Sequence, residues 1–226
     1  MSEVTTTESF TAVVPVRKGS RRLPNKNTAK FGETNLLVEK LKQLEEVSEI
    51  NNIVVSSDSS KMLDMARDRG ATAHRRPHEY CDEKTKTFGE VVEYICKNVE
   101  GRHVVWATCT SPLVLPEHYS EAIGRYLEAL SEGYDSLMSV EPFKRYIWTE
   151  EGPLNYELGT AHVPSQELKE LYFVTDGILI APRLKMIEWQ YFHGPSPYKY
   201  ALDKIHCVDI DDKLDLEVAR AWRKML

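Results

Sequence analysis

Four short runs rich in valine or its branched neighbours, FTAVVPV (10–16), NNIVVSSD (51–58), HVVWAT (103–108) and DSLMSV (135–140), are separated by segments with apolar residues at helical spacing. Continuous apolar runs of this length, bounded by turn residues, read as strands buried on both faces. LLVEKLKQLEEV (36–47), SKMLDMARDRG ending at Gly70, and KTFGEVVEYICKNV (86–99) read as the helices between them, with GATAH a further short strand. PEHYSEAIGRYLEALSEG places Pro116 in the first turn of a helix that stops at Gly133. Strands alternating with helices predict an α/β fold: a mostly parallel central sheet with helices on both faces and right-handed crossovers. Ligands in such sheets lie beyond the carboxyl ends of the strands.

Residues 141–172 break the rhythm. EPFKRYIWTEEGPLNYELG carries Phe143, Tyr146, Ile147, Trp148 and Tyr156 between turn residues, which reads as a hairpin or irregular excursion. Aromatics outside the repeating layers need a surface to cover, either a second subunit or the chain's own domain. GILIAP (177–182) and IHCVDI (205–210) then resume as strands, and DKLDLEVARAWRKML closes as a helix.

At 226 residues the chain supports one sizeable core, and nothing rich in Gly, Pro or Ser divides it, so a single domain over 1–226 is expected. The longest apolar runs are far short of the ~20 residues that cross a bilayer. The opening MSEVTTTESF lacks the basic start and apolar centre of a signal peptide, so a cytoplasmic protein without a membrane partner is expected. Cys81, Cys96, Cys109 and Cys207 form no C-x-x-C pair and read as reduced thiols. The seven histidines are read as surface or satisfied core positions rather than as a metal site.

A net charge of −6 argues against a nucleic-acid protein. Against that background, VVPVRKGSRRLPNKN (13–27) stands out: between Glu8 and Glu33 there is no acid, while Arg17, Lys18, Arg21, Arg22, Lys26 and Lys30 supply six cations. A focused positive site in an acidic protein suits a small polyanion. The stretch follows the first strand, so it faces the ligand crevice; Gly19 and Ser20 permit a tight turn whose N–H groups converge on phosphate oxygens, with Arg17 and Lys26 at its two ends. It is neither a Walker A sequence nor G-x-G-x-x-G, and a solvated basic turn is the alternative.

DIDDKLD (209–215) is the second constellation. If a strand continues to Asp211, its period of two puts Asp209 and Asp211 on one side, where Mg²⁺ would relieve their repulsion. Alternatively Asp211 or Asp212 caps the following helix, with Asp215 in its first turn. Short polar turns at other strand ends form the third: SSDS (56–59), HRRPHE (74–79) followed by KTKT (84–87), and ATCTSP (107–112).

Taken in order, PVRKGSRRLPNKN, IVVSSDS, RRPHE, TSPL and VDIDDKLDLEVA resemble the motifs of the cytidylyltransferases that activate nonulosonic and related keto-sugar acids, the CMP-sialic acid synthetase family, from about Thr11 to Leu226. The resemblance implies a Rossmann-like nucleotidyltransferase fold and transfer of CMP from CTP to an acidic acceptor with release of pyrophosphate. It implies that Arg17, Ser20 and Lys26 hold the CTP phosphates and Asn27 the ribose, that Arg76 and the groups around Thr85 and Thr87 meet cytosine or sugar, and that Asp209 and Asp211 hold Mg²⁺. Metal and cations would then stabilise charge on the leaving group. It further implies a homodimer, with residues 141–172 crossing to the partner.

The departures lie on the acceptor side. Where relatives acting on sialic acid read Q-P-T-S-P-L-R, this chain has Thr108-Cys109-Thr110-Ser111-Pro112-Leu113-Val114; where they read R-P-N-G, it has Val174-Thr175-Asp176-Gly177. Losing a charged partner for the acceptor carboxylate predicts a different acceptor, another keto-sugar acid or a smaller acid such as a phosphonate. Thr108, Ser111 and Asp176 are the candidate acceptor residues, with Lys144 and Arg145 as sources of the missing positive charge. A non-catalytic nucleotide-binding protein and a hydrolase of the same fold are the competing readings.

Overall fold

The computed structural model describes residues 8–82, 84–160 and 162–226. The opening MSEVTTT, on which the reading of a missing leader rests, lies outside them. The chain folds as β1 (Phe10–Pro15), α1 (Leu36–Glu45), β2 (Ile50–Ser57), α2 (Ser60–Asp68), β3 (Thr72–Arg75), α3 (Phe88–Lys97), β4 (His103–Trp106), α4 (Pro116–Ser131), β5 (Ser136–Phe143), β6 (Leu171–Pro182), α5 (Arg183–Trp189), β7 (Pro197–Ala201) and α6 (Lys213–Arg223). Two-residue ladders at Lys30–Phe31 with Thr34–Asn35, and at Trp148–Thr149 with Gly152–Pro153, lie outside the main sheet.

The seven strands are ordered β3-β2-β1-β4-β6-β5-β7. All neighbouring pairs are parallel except those of β6, which runs antiparallel to both β4 and β5. The reason is the connection: β5 reaches β6 through the excursion rather than through a crossover helix, so the chain returns in the opposite sense.

Alternation along the strands divides the core in two. Ala12, Val14, Val105 and Ala107 face Leu37, Leu41, Tyr119, Tyr126 and Leu216. Val13, Val104, Trp106 and Leu179 face Val92, Ile95, Cys96 and Met186. Helix starts are specified locally. The side chains of Asn35 and Ser59 accept from the amides of Val38 and Met62, and Thr87 forms a capping box with Glu90. Pro116 opens α4.

Three sequence expectations change. IHCVDI is not a strand; 204–207 are turn and 208–211 irregular, so the period-two argument for Asp209 and Asp211 does not apply. The last strand is instead PYKYA, β7, an edge strand beside β5. The strand expected at GILIAP begins at Leu171, paired with Phe143, so β5 and β6 form the long arms of a hairpin and the irregular excursion is correspondingly shorter. Of the two capping candidates, Asp212 caps α6 in a capping box with Asp215, and Asp211 does not.

Candidate functional site

β1, β2, β3 and β4 point their carboxyl ends the same way, so the segments that follow them share one rim. The antiparallel β6 reaches that rim from the other direction: Leu179 pairs with Trp106 at the end of β4, and the residues before Leu179 project past it. A cleft of about 790 Å³ opens there. Its basic side is Arg17, Ser20, Arg21, Arg22, Lys26, Asn27, Arg76 and Lys86; the facing wall includes Phe88, Trp106 and Phe192, with Thr108, Thr110 and Asp176 between. Phe88 and Phe192 meet edge to face with ring centroids 5.3 Å apart.

The basic loop is tied down rather than loose. Gly19 turns it at φ +75°, a conformation that favours glycine, and Asn25 takes φ 57° before the single helical turn Lys26–Thr28. Val16 N–H donates to Ser56 O at 3.0 Å and Lys18 N–H to Asp58 Oδ1 at 2.9 Å. Asn27 Nδ2 donates to Arg17 O at 3.1 Å, and Cys109 Sγ donates to Asn27 Oδ1 at 3.4 Å. Arg76 is buried; its guanidinium donates to Val16 O at 2.9 Å and to Cys81 Sγ at 3.0 Å. The loop that the charge pattern singled out is therefore a constructed edge of the cleft.

Lys26 joins it to the acidic segment. Its Nζ donates to Ile210 O at 2.8 Å and lies 3.3 Å from Asp211 Oδ1, which also accepts from Arg22 at 2.6 Å. Asp209 is different. Its Oδ1 is buried with no hydrogen-bond partner. Burial raises its carboxyl above the usual range, as does Asp211, against a hydrogen bond from the Thr110 side chain and the charge of Lys26. Asp176 is raised too, first by burial and then by Asp209 and Asp211, with Lys26 opposing. Three carboxylates thus crowd around one ammonium, an arrangement that favours an added cation.

The fit to Mg²⁺ follows from this donor set. An orphaned buried oxygen on Asp209 and a nearby Asp211 provide two carboxylates, the number magnesium commonly takes from protein when substrate phosphates complete its shell. Among the described residues no group of three or more His, Cys, Asp or Glu side chains is arranged to hold a metal alone.

Of the residues singled out in the sequence, Arg17, Ser20, Lys26, Asn27, Arg76, Thr87, Thr108 and Asp176 line the cleft, with Asp209 and Asp211 electrostatically coupled to it. Gly19 lies instead in a neighbouring groove beside Lys18, Asp58 and Arg75. Thr85 is off the cleft, its hydroxyl donating to Asp82 Oδ2 at 3.1 Å, and the neighbouring Lys86 lines the wall instead. Ser111 is buried behind Thr108, the two hydroxyl oxygens 3.2 Å apart. Lys144 lies in the excursion, donating to Gln166 O at 3.1 Å, and does not line the cleft of its own chain.

Sequence reading passed over the aromatic wall and Lys40. Lys40 is fully buried under the 108–112 turn. A signal existed: Leu37, Lys40, Leu41 and Leu44 share the apolar stripe of α1, so the lysine interrupts a core face.

A mixed sheet with one antiparallel strand and a cation-lined cleft beyond its parallel carboxyl ends is the Rossmann-like fold of the nucleotidyltransferases, the class that the motif resemblance implied. The chain belongs to the cytidylyltransferase family, whose model matches residues 11–181. It is 24% identical over 218 residues to N-acylneuraminate cytidylyltransferase A of Danio rerio, covering 93% of this chain and 50% of that one. It is likewise 24% identical over 221 residues to pseudaminic acid cytidylyltransferase of Campylobacter jejuni strain 81-176, covering 94% and 95%. The chain spans about half the length of the N-acylneuraminate cytidylyltransferases it matches. In fold it is similar to a CMP:2-keto-3-deoxy-manno-octonic acid synthetase complexed with CTP, with a TM-score of 0.71 at 12% identity over 96% of this chain and 99% of that one. No helix among the described residues is long and apolar enough to cross a membrane.

Proposed function

We propose that the protein transfers CMP from CTP to an acidic acceptor, a keto-sugar acid, releasing pyrophosphate. The observation that carries this reading is the junction at Lys26, where one ammonium meets the backbone of Ile210 and the carboxylate of Asp211 at the edge of the basic cleft. Cations for phosphate oxygens and carboxylates for a metal, brought together from loops 184 residues apart or more, are what a metal-bound triphosphate requires.

In this reading Arg17, Ser20 and Lys26 hold the triphosphate and Asp209 and Asp211 hold Mg²⁺. The bound metal supplies charge neutralisation for the α-phosphoryl group and the departing pyrophosphate. An acceptor oxygen attacks the α-phosphorus in line, the bond to pyrophosphate breaks, and Arg17 and Lys26 stabilise the charge gathering on the leaving group. Asn27 offers the ribose its second amide hydrogen, the first being committed to Arg17 O. Arg76, Thr87 and the Phe88 wall bound the base and sugar; Gly19 serves by turning the loop, and Thr85 takes no direct part.

Thr108 and Asp176 meet the acceptor, with Ser111 supporting Thr108 from behind. Val174 stands where relatives acting on sialic acid carry the arginine for its carboxylate, so the acceptor is another keto-sugar acid, with a phosphonate as the smaller alternative. Lys144 reaches the site only from a second subunit. A homodimer built on the excursion would deliver it and would cover Trp148, Leu154, Leu158 and Phe173, which are exposed in the single chain. We place the protein in the cytoplasm, with neither nucleic acid nor membrane as partner.

The test is turnover with CTP, Mg²⁺ and a panel containing N-acylneuraminic, pseudaminic and 2-keto-3-deoxy-manno-octonic acids and simple phosphonates, following pyrophosphate. Release that depends on one of these acids is expected. Release without any acceptor would mark a hydrolase, and failure to bind CTP would overturn the reading altogether.

A further inference from the structure

Lys40 has none of its surface exposed, yet its partners are not acids. Nζ donates to Ser111 O at 3.0 Å and to Tyr119 Oη at 2.8 Å, and Tyr119 Oη in turn donates to Gly177 O at 3.1 Å. One turn further along α1, Gln43 Nε2 donates to Pro112 O at 2.7 Å. α1 therefore grips the 108–112 turn from beneath at two successive carbonyls. Burying an amine is costly, so its persistence calls for a use.

The use lies in what the turn holds. Thr108 Oγ1 donates to Asp176 O at 2.9 Å, Cys109 Sγ donates to Asn27, and Thr110 O accepts from Ile210 N–H at 2.8 Å while its side chain bonds Asp209. The basic loop, the acidic segment and the Asp176 segment are all fastened to these five residues. The Asp176 segment is itself a register shift in β6, between Val174 and Leu179, pinned by Ser139 Oγ, which accepts from Ile178 N–H at 2.9 Å. Irregularities of this kind re-aim a side chain beside a site.

The charged neighbours of Lys40 are few. Glu39 on α1 and Cys109 on the turn favour its charged form, Tyr119 on α4 is held neutral by burial, and beyond Cys109 stand Lys26 and Asp209. Burial outweighs the two favourable neighbours and brings Lys40 down to about 7, so near neutral pH a modest change in local charge moves its proton. A neutral amine keeps two N–H donors, enough for both present partners, so the grip survives deprotonation.

We propose that Lys40 is a positioning residue of the cleft, which fastens the 108–112 turn and the Asp176 segment and takes up a proton from solvent when a polyanion binds above it. The proton uptake rests on reading the cleft as a triphosphate site; the fastening does not.

Calorimetric titration of CTP with Mg²⁺ at pH 7.5, in buffers of different ionisation enthalpy, counts the protons exchanged, and amide hydrogen exchange reports the fastening. Wild type is expected to take up more protons on binding than Lys40→Met. The variant should bind CTP roughly tenfold more weakly, because the floor of the site shifts. Exchange should quicken at 108–113 and 175–178 in Lys40→Met, and at 175–178 in Tyr119→Phe, a change that keeps the ring packing. Equal proton uptake by wild type and Lys40→Met would overturn the linkage, and unchanged exchange in both variants would overturn the fastening. If wild type binds no CTP, the triphosphate reading and the linkage fall together, and the exchange comparison still decides the fastening.

Discussion

Replacing Asp209 with asparagine should make the metal-free protein more stable while removing its turnover. Oδ1 of Asp209 is buried without a hydrogen-bond partner, and leaving a buried polar atom unpaired costs about 1–3 kcal/mol, more when it is charged. The environment as a whole opposes the carboxylate: burial and Asp211 outweigh Thr110 and Lys26. Asparagine keeps the shape and the buried polar group but discards the charge, so what is recovered near pH 7 is the added cost of ionisation, on the order of 1–3 kcal/mol. For a chain of this size each kcal/mol moves Tm by roughly 2–4 °C, giving a rise of about 2–12 °C. The pH dependence has a definite sign. With a folded pKa raised above the ordinary 3.8, the unfolded chain ionises first as pH rises, so the penalty is absent below 3.8 and complete above the folded value. Thermal and urea unfolding of both proteins from pH 4 to 7 would therefore show an advantage for Asp209→Asn that fades on acidification. Adding Mg²⁺ and CTP should stabilise wild type, by about 2.7 kcal/mol at a hundredfold excess over Kd, and the variant much less. A variant less stable than wild type at pH 7, or an advantage independent of pH, would refute the reasoning.

Gly177→Ala places a methyl 2.9 Å from Val114 Cγ2 and 3.5 Å from Ser139 Oγ, within a tightly packed strand. Urea unfolding should show a loss of about 1–3 kcal/mol, largely recovered when Val114→Ala is added. Trp148 on the excursion is 59% exposed in the single chain, and Phe173 on the adjoining arm of β6 54%. Sedimentation should show a dimer that Trp148→Ser with Phe173→Asp converts to a folded monomer; an unchanged dimer would move the interface elsewhere.

The inner strands were legible because burial on both faces writes itself as valine runs such as Ala12-Val13-Val14. PYKYA was not, since an edge strand with half-exposed tyrosines and a lysine carries no such run. IHCVDI misled for the converse reason. Ile210 is buried, but it is held by Thr110 O rather than by a strand neighbour, and composition does not distinguish the two. In the cleft, charge made the basic loop visible, and five ordered motifs named its family. Thr85 was placed too near because a polar loop residue has the same letter whichever way it faces. The register shift that aims Asp176 depends on Ser139, 37 residues earlier, and no local pattern announces it.

The single antiparallel strand also sets an order in time. β4 cannot gain its second sheet neighbour until the Leu179–Pro182 end of β6 exists, and about 73 residues separate Trp106 from Leu179. At synthesis rates of roughly 5–20 residues per second, that leaves roughly 4–15 s during which the β4 edge of a growing chain stands open. The basic loop is complete throughout that interval, whereas Asp176 and Asp209 have still to arrive. A nascent chain would thus display Arg22 and Lys26 before Asp211, the carboxylate that pairs with both, has been made.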